Sequence, residues 1–194
     1  MKIKLVIAFL FMAILATNFA LLGQTRIRTL EEVKPYPNQP LQVVGKRLGE
    51  KNLNEAGFEA ESNWLRDLSI EVRNVSGKNI TYAYSLLLIQ KQGTMEASYA
   101  LPLLYENGNP PIAPGDVATL KVLDGQYMGA MKYLAQYQVK DVENVILTIQ
   151  RVYFDDNTRW VIGKESRQDP SDKKKWIPIS QRKSLRKVPM NVFF

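Results

Sequence analysis

The sequence predicts an all-β protein, an antiparallel β-sandwich of about seven strands with one short inserted helix. Three observations carry this expectation. Apolar and polar residues alternate with period two in several stretches, most clearly in DLSIEVRNV at 67–75, the mark of a half-buried strand. Turn-forming clusters recur about every 8–15 residues along the chain. No strand–helix–strand alternation is present, which argues against a parallel α/β sheet.

The elements follow in order. Residues 41–48 form the first expected strand, and the polar segment 51–57 reads as a loop. In 67–75, Leu68, Ile70 and Val72 share one face, with Ser69, Glu71 and Arg73 on the other. The turn cluster Ser76-Gly77-Lys78-Asn79 then precedes 80–90, rich in Ile, Tyr and Leu, and the two strands are expected to close a hairpin. Positions 86–89 are apolar without a break, so this strand should be covered on both faces. Residues 96–105 contain Pro102, which places that strand at an edge or bulge. A second turn region at 110–116 leads into a strand at 117–123. Asp124 is expected to cap a helix at 125–136, because Tyr127, Met131, Leu134 and Gln138 follow helical spacing. The last pair, 143–154 and 159–164, is joined by a turn at 155–158. Trp64, Trp160 and the Tyr and Leu residues supply one core.

The stretch NWLRDLSIEVRNVSGKNITYAYSLLL, with PIAPGDVATLKV and VYFDDNTRW later, resembles a group of exported bacterial β-sandwich proteins. In that group an xVxNxSxKxI hairpin, a PG[DE] turn and a DGTRW-like hairpin mark an immunoglobulin-like fold. The likeness covers about residues 58–163 and implies fold and export. Asn157 stands here where the group usually has Gly.

Composition narrows the chemistry. The 194 residues include no His and no Cys, which excludes a Ser-His-Asp or Cys-His triad, an imidazole base and a disulfide framework. No glycine-rich phosphate loop is present, and no catalytic residue, metal site or cofactor is expected. Asp155 and Asp156 read as turn residues, because a calcium loop needs several oxygen ligands at set spacing. Serine followed three residues on by lysine at Ser171, Ser180 and Ser184 reflects the lysine-rich setting. Gly125 and Gly129 mark close helix packing at most.

Residues 1–23 read as a signal peptide or N-terminal anchor: Lys2 and Lys4 precede an apolar run over 5–16. The folded part is therefore expected outside the cytoplasm, periplasmic, extracellular or anchored facing outward. Residues 24–40, with Pro35, Pro37 and Pro40, read as a linker; 41–165 as the domain; and 166–194 as a basic tail. Residues 164–194 hold nine basic and three acidic residues, whereas 24–163 hold 15 basic and 16 acidic. The positive charge of the chain thus belongs to its end, which argues against a basic nucleic-acid groove across the fold. Lys173, Lys174, Lys175 and Trp176, with Arg182, Lys183, Arg186 and Lys187, combine cations with an aromatic suited to an anionic surface. The expected function is a non-enzymatic binding module of the cell envelope whose partner is an anionic surface or an acidic protein. The alternatives are a carboxylate-based glycan hydrolase, which needs two acids in a cleft, and an assembly subunit using strand addition.

Overall fold

The structure, a computed structural model, describes residues 25–55, 57–90, 97–105, 109–139 and 141–179. The segment 1–23, expected to be a signal peptide or anchor, lies outside them. The order is β1 (Arg26–Glu32), β2 (Leu41–Leu48), β3 (Lys51–Asn52), β4 (Gly57–Ala60), α1 (Trp64–Asp67), β5 (Leu68–Asn74), β6 (Ile80–Gln90) and β7 (Ala97–Tyr105). It continues with β8 (Val117–Lys121), α2 (Asp124–Gln136), β9 (Asn144–Phe154), β10 (Thr158–Val161), β11 (Lys164–Gln168) and β12 (Trp176–Pro178). The protein is all-β and mostly antiparallel, with twelve strands and two helices among the described residues where about seven strands and one helix were expected.

The hydrogen-bonded path runs β12-β11-β10-β9-β6-β7-β8-β5-β2-β3. Its long strands are β6 and β9, paired from Ile80↔Phe154 to Ile89↔Val145. Burial follows the apolar run in β6: Leu86, Leu87 and Ile89 are buried, and Leu88 is half-buried. The seam between β7 and β8 consists of one residue pair, Leu104↔Lys121. On either side of this seam lie two halves that contribute to one apolar cluster, Leu41, Leu68, Ile70 and Val72 from one and Leu87, Ile89, Leu147 and Val152 from the other.

Residues 76–79 do not close a hairpin. β5 pairs with β2 and β8, whereas β6 pairs with β7 and β9. The reason lies in Asn74, which is buried and uses its whole side chain at this corner. Its Nδ2 donates to the carbonyls of Lys78 and Ile112, both at 2.8 Å, while its Oδ1 accepts from the Ser76 N–H and hydroxyl. These bonds turn the chain from one half of the path to the other instead of folding it back on β5. Turn composition signals a reversal; it does not say which strand receives the chain.

Of the expected linker at 24–40, the described residues 25–40 are not a linker. β1 pairs antiparallel with β4 and parallel with the first part of β9, leaving residues 151–153 of β9 to β10. The inward positions of β1 are Arg28 and Leu30, both buried. One of the two is charged, so apolar alternation is disguised. Arg28 bonds Asp141 at 2.8 Å and donates to the Ala60 and Val142 carbonyls at 3.2 Å. The Val142 carbonyl also accepts from Trp64 Nε1 at 2.8 Å, and Phe58 meets the Trp64 ring edge-on at 5.1 Å. The proline segment then lays Tyr36 against the buried Trp160 and presents the Pro37 carbonyl to Trp160 Nε1 at 3.1 Å.

Helix α2 forms where its spacing indicates, with Tyr127, Ala130, Met131 and Leu134 turned to the core side. Asp124 does not cap it; the Gln126 Oε1 accepts from the Leu123 N–H at 3.4 Å, and the Asp124 carboxylate pairs with Arg66 at 2.9 Å. An added Cβ at Gly125 or Gly129 would touch nothing, so neither glycine serves close packing. Gly129→Ala is therefore expected to stabilise the protein by about 0.5–1 kcal/mol through lost unfolded-state freedom. An upward shift of the urea midpoint at constant slope is the measurement; a downward shift would mean the site needs glycine.

Candidate functional site: an aromatic and guanidinium face

The expected tail is in part a folded element. β11 pairs with β10, and β12 pairs with β11, so the body extends to residue 179 rather than stopping at 165. The connection between β11 and β12 is ordered by its own aspartates. Asp169 Oδ1 accepts from the Ser171 N–H at 2.9 Å, and Asp172 Oδ1 accepts from the Lys174 N–H at 3.0 Å. These aspartate-led turns were visible in DPSDK as turn chemistry, though its lysines drew the reading toward a solvated tail. Lys173, Lys174 and Lys175 are exposed on this loop and Trp176 is half-buried at its end. Arg182, Lys183, Arg186 and Lys187 lie outside the described residues.

Trp176 rests on the outer face of β6, β9 and β10. Register brings Tyr82 opposite Tyr153, Tyr84 opposite Arg151 and Arg159 opposite Tyr153, so all five side chains project to one side. The Tyr82 and Tyr153 rings meet at 5.5 Å and 79°, and Tyr153 meets Trp176 with the same geometry. The Arg159 guanidinium lies 4.1 Å above the Trp176 ring and donates to the Ser166 hydroxyl at 3.1 Å. The Arg151 guanidinium stands 5.9 Å from the Tyr84 ring centre. Neither arginine has a carboxylate partner among the described residues. Such cation–aromatic pairs contribute about 0.5–1 kcal/mol at exposed sites. Between these side chains opens a groove of about 370 Å³ bordered by Tyr82, Arg151, Tyr153, Asn157, Gln168 and Trp176.

The 155–158 turn forms as expected and borders the groove. Asn157 takes the left-handed conformation at φ 59°, which Asn tolerates better than most residues. Asp155 accepts from Asn79 Nδ2 at 2.7 Å. Partial burial disfavours the ionised Asp156, but hydrogen bonds from Lys78 and Thr158 outweigh it and hold the carboxyl below its usual 3.8. A folded pKa below the unfolded one adds stability that is present above the unfolded value and lost as pH falls through the folded value. Acid titration is therefore expected to loosen this turn below about pH 4, read as a midpoint under 3.8 for the Thr158 amide shift. Asp156→Asn should remove that transition.

Tyr82, Tyr153, Arg151 and Arg159 are the site residues that sequence reading missed. Their signal was present as aromatic and basic residues alternating on strands otherwise read for their core side. As for the two acids that the glycan-hydrolase alternative needs, Glu32 and Glu71 border one surface groove. Each is already engaged by a cation, Glu32 by Lys46 at 2.7 Å and Glu71 by Arg47 at 3.6 Å. Both carboxylates are thus held by neighbouring side chains of the fold. An added Cβ at Gly45 would fall on the Glu71 carboxylate and approach its Cβ to 3.3 Å, so glycine is what allows Glu71 to lie there. Among the described residues no three acidic side chains gather as metal ligands, and no helix is long and apolar enough to cross a membrane.

Comparison of the chain with protein-family models, with curated proteins and with solved structures returns no match.

Proposed function

We propose that this protein is a non-enzymatic binding module, an immunoglobulin-like β-sandwich exported to the cell envelope, which holds an anionic surface there. The observation that carries the reading is the placement of Trp176. It is seated on a folded face beside two arginines that have no carboxylate partner among the described residues, with Lys173, Lys174 and Lys175 exposed on the adjoining ordered loop. The sandwich reading is supported by the one-pair seam between β7 and β8 and by the single core fed from both halves. Strand addition is less favoured, because the path ends in strands of two and three residues, β3 and β12, and short ends blunt edge pairing.

Each basic residue near an anionic lipid surface contributes about 1 kcal/mol. Changing Lys173, Lys174 and Lys175 together to Gln is then expected to weaken association with vesicles containing anionic lipid by about a hundredfold. Raising the salt should have the same direction of effect, because exposed charges are screened. Sedimentation with vesicles measures both. Association unchanged in the triple variant, or unchanged at high salt, would overturn the reading.

A further inference from the structure

Building on that reading, we propose that the groove between Tyr82, Tyr153 and Trp176 is a subsite for one acidic sugar ring, a uronate residue of an anionic glycan. The groove holds about 370 Å³, within the range of small-ligand sites and suited to a ring with its substituents. The ring geometry selects the kind of ligand. Tyr82 against Tyr153, and Tyr153 against Trp176, each meet at 79°. Perpendicular rings make a corner. A flat base sandwiched between aromatic faces needs parallel planes, whereas a puckered sugar lays its C–H face on one ring and turns its hydroxyl rim elsewhere.

Polar groups stand where that rim falls. The Asn157 side-chain amide is exposed and without a partner among the described residues. Gln168 donates through Nε2 to the Lys173 carbonyl at 2.7 Å, which directs the amide and leaves its oxygen to accept from a hydroxyl. Charge is supplied by Arg151, exposed on the groove wall. A planar guanidinium matches a carboxylate through two parallel hydrogen bonds. Lys78 is not available for this role, because Asp156 and Thr158 hold its ammonium at 2.8 Å each. Arg159 is committed to the Trp176 ring and Ser166, and so fixes the aromatic wall. The face thus combines ring contact, hydroxyl recognition and one cation of the right shape.

The full chain offers a selective readout. Of its three tryptophans, Trp64 and Trp160 are 2% and 0% exposed, while Trp176 is reached by solvent. Titration with a uronate trisaccharide is expected to give a saturable change in tryptophan emission. The neutral trisaccharide, with its carboxylates reduced to alcohols, should bind about tenfold or more weakly, and Arg151→Gln should lose a similar factor for the acidic one. Tyr82→Ala should weaken both sugars with unchanged circular dichroism. The triple lysine variant should keep most of its trisaccharide affinity while losing vesicle association, which separates the groove from the electrostatic contact. Absence of a saturable change, equal affinity for acidic and neutral sugars, an unaffected Arg151→Gln variant, or tighter binding of adenosine monophosphate than of the trisaccharide would each overturn the subsite.

Discussion

Replacing Arg28 with methionine is expected to destabilise the protein by about 3–5 kcal/mol, the range seen when one partner of a buried ion pair is removed. Its guanidinium is fully buried, paired with Asp141 and hydrogen-bonded to the Ala60 and Val142 carbonyls. Truncation takes the side-chain donor from the Ala60 carbonyl and leaves the Val142 carbonyl to Trp64 Nε1 alone, in a dry setting. The effect should reach beyond the contact itself, because β1 is the strand that links β4 to β9. Asp141→Asn should cost less, since that side chain retains 19% exposure and an amide still accepts one hydrogen bond. Urea unfolding of both single variants and the double variant gives the coupling energy. A loss under about 1 kcal/mol for Arg28→Met would show that β1 is held by its backbone ladder alone, within the range of ordinary substitutions.

Trp160→Ala should cost a comparable amount, about 3–5 kcal/mol, as large aromatic truncations in a core do. Trp160 is fully buried on β10, sits 6.1 Å from the Tyr36 ring and donates to the Pro37 carbonyl. Its loss opens a cavity beneath the proline segment and frees that segment from the sheet. Trp160→Phe preserves most of the volume and removes the hydrogen bond, so about 1–2 kcal/mol is expected. Hydrogen exchange of residues 36–41 distinguishes the two contributions: alanine should expose these amides, and phenylalanine should expose them less. If alanine left their protection unchanged, the segment would be anchored elsewhere.

These two residues explain how the candidate face is held. Trp160 fills the inner side of the same three strands whose outer side carries Tyr82, Tyr153 and Arg159. Alternation along β10 puts Arg159 outward and Trp160 inward in consecutive positions. The candidate face is therefore the reverse of a rigid wall, and its ring geometry depends on packing behind it.

Much of this was legible in the residues. The strand at 41–48 coincides with β2 to the residue, 67–75 exceeds β5 by one residue at each end, and 143–154 exceeds β9 by one residue at its start. The period shows most plainly in β5, where Leu68, Ile70 and Val72 are buried while Glu71 and Arg73 are less so. The site was legible at Trp176 and Lys173 to Lys175, because an aromatic among cations stands out in composition. Tyr82, Arg151, Tyr153 and Arg159 were hidden, since the β9–β10 hairpin must be set beside β6, far earlier in the chain, before they form one face.

By itself the sequence determined the all-β class, most strand positions, helix α2 and the Asp155–Thr158 reversal, because alternation and turn chemistry are local properties of the chain. Only the tertiary structure decided that Asn74 sends the chain across instead of back, that Arg28 lies inside, and that Trp176 folds onto the β9 and β10 face. Each of those outcomes rests on a partner remote in sequence: Ile112 for Asn74, and for Arg28 a carbonyl 114 positions away. A charged or polar side chain takes a buried place when the folded backbone supplies its hydrogen bonds there, and no local pattern records where that backbone will be.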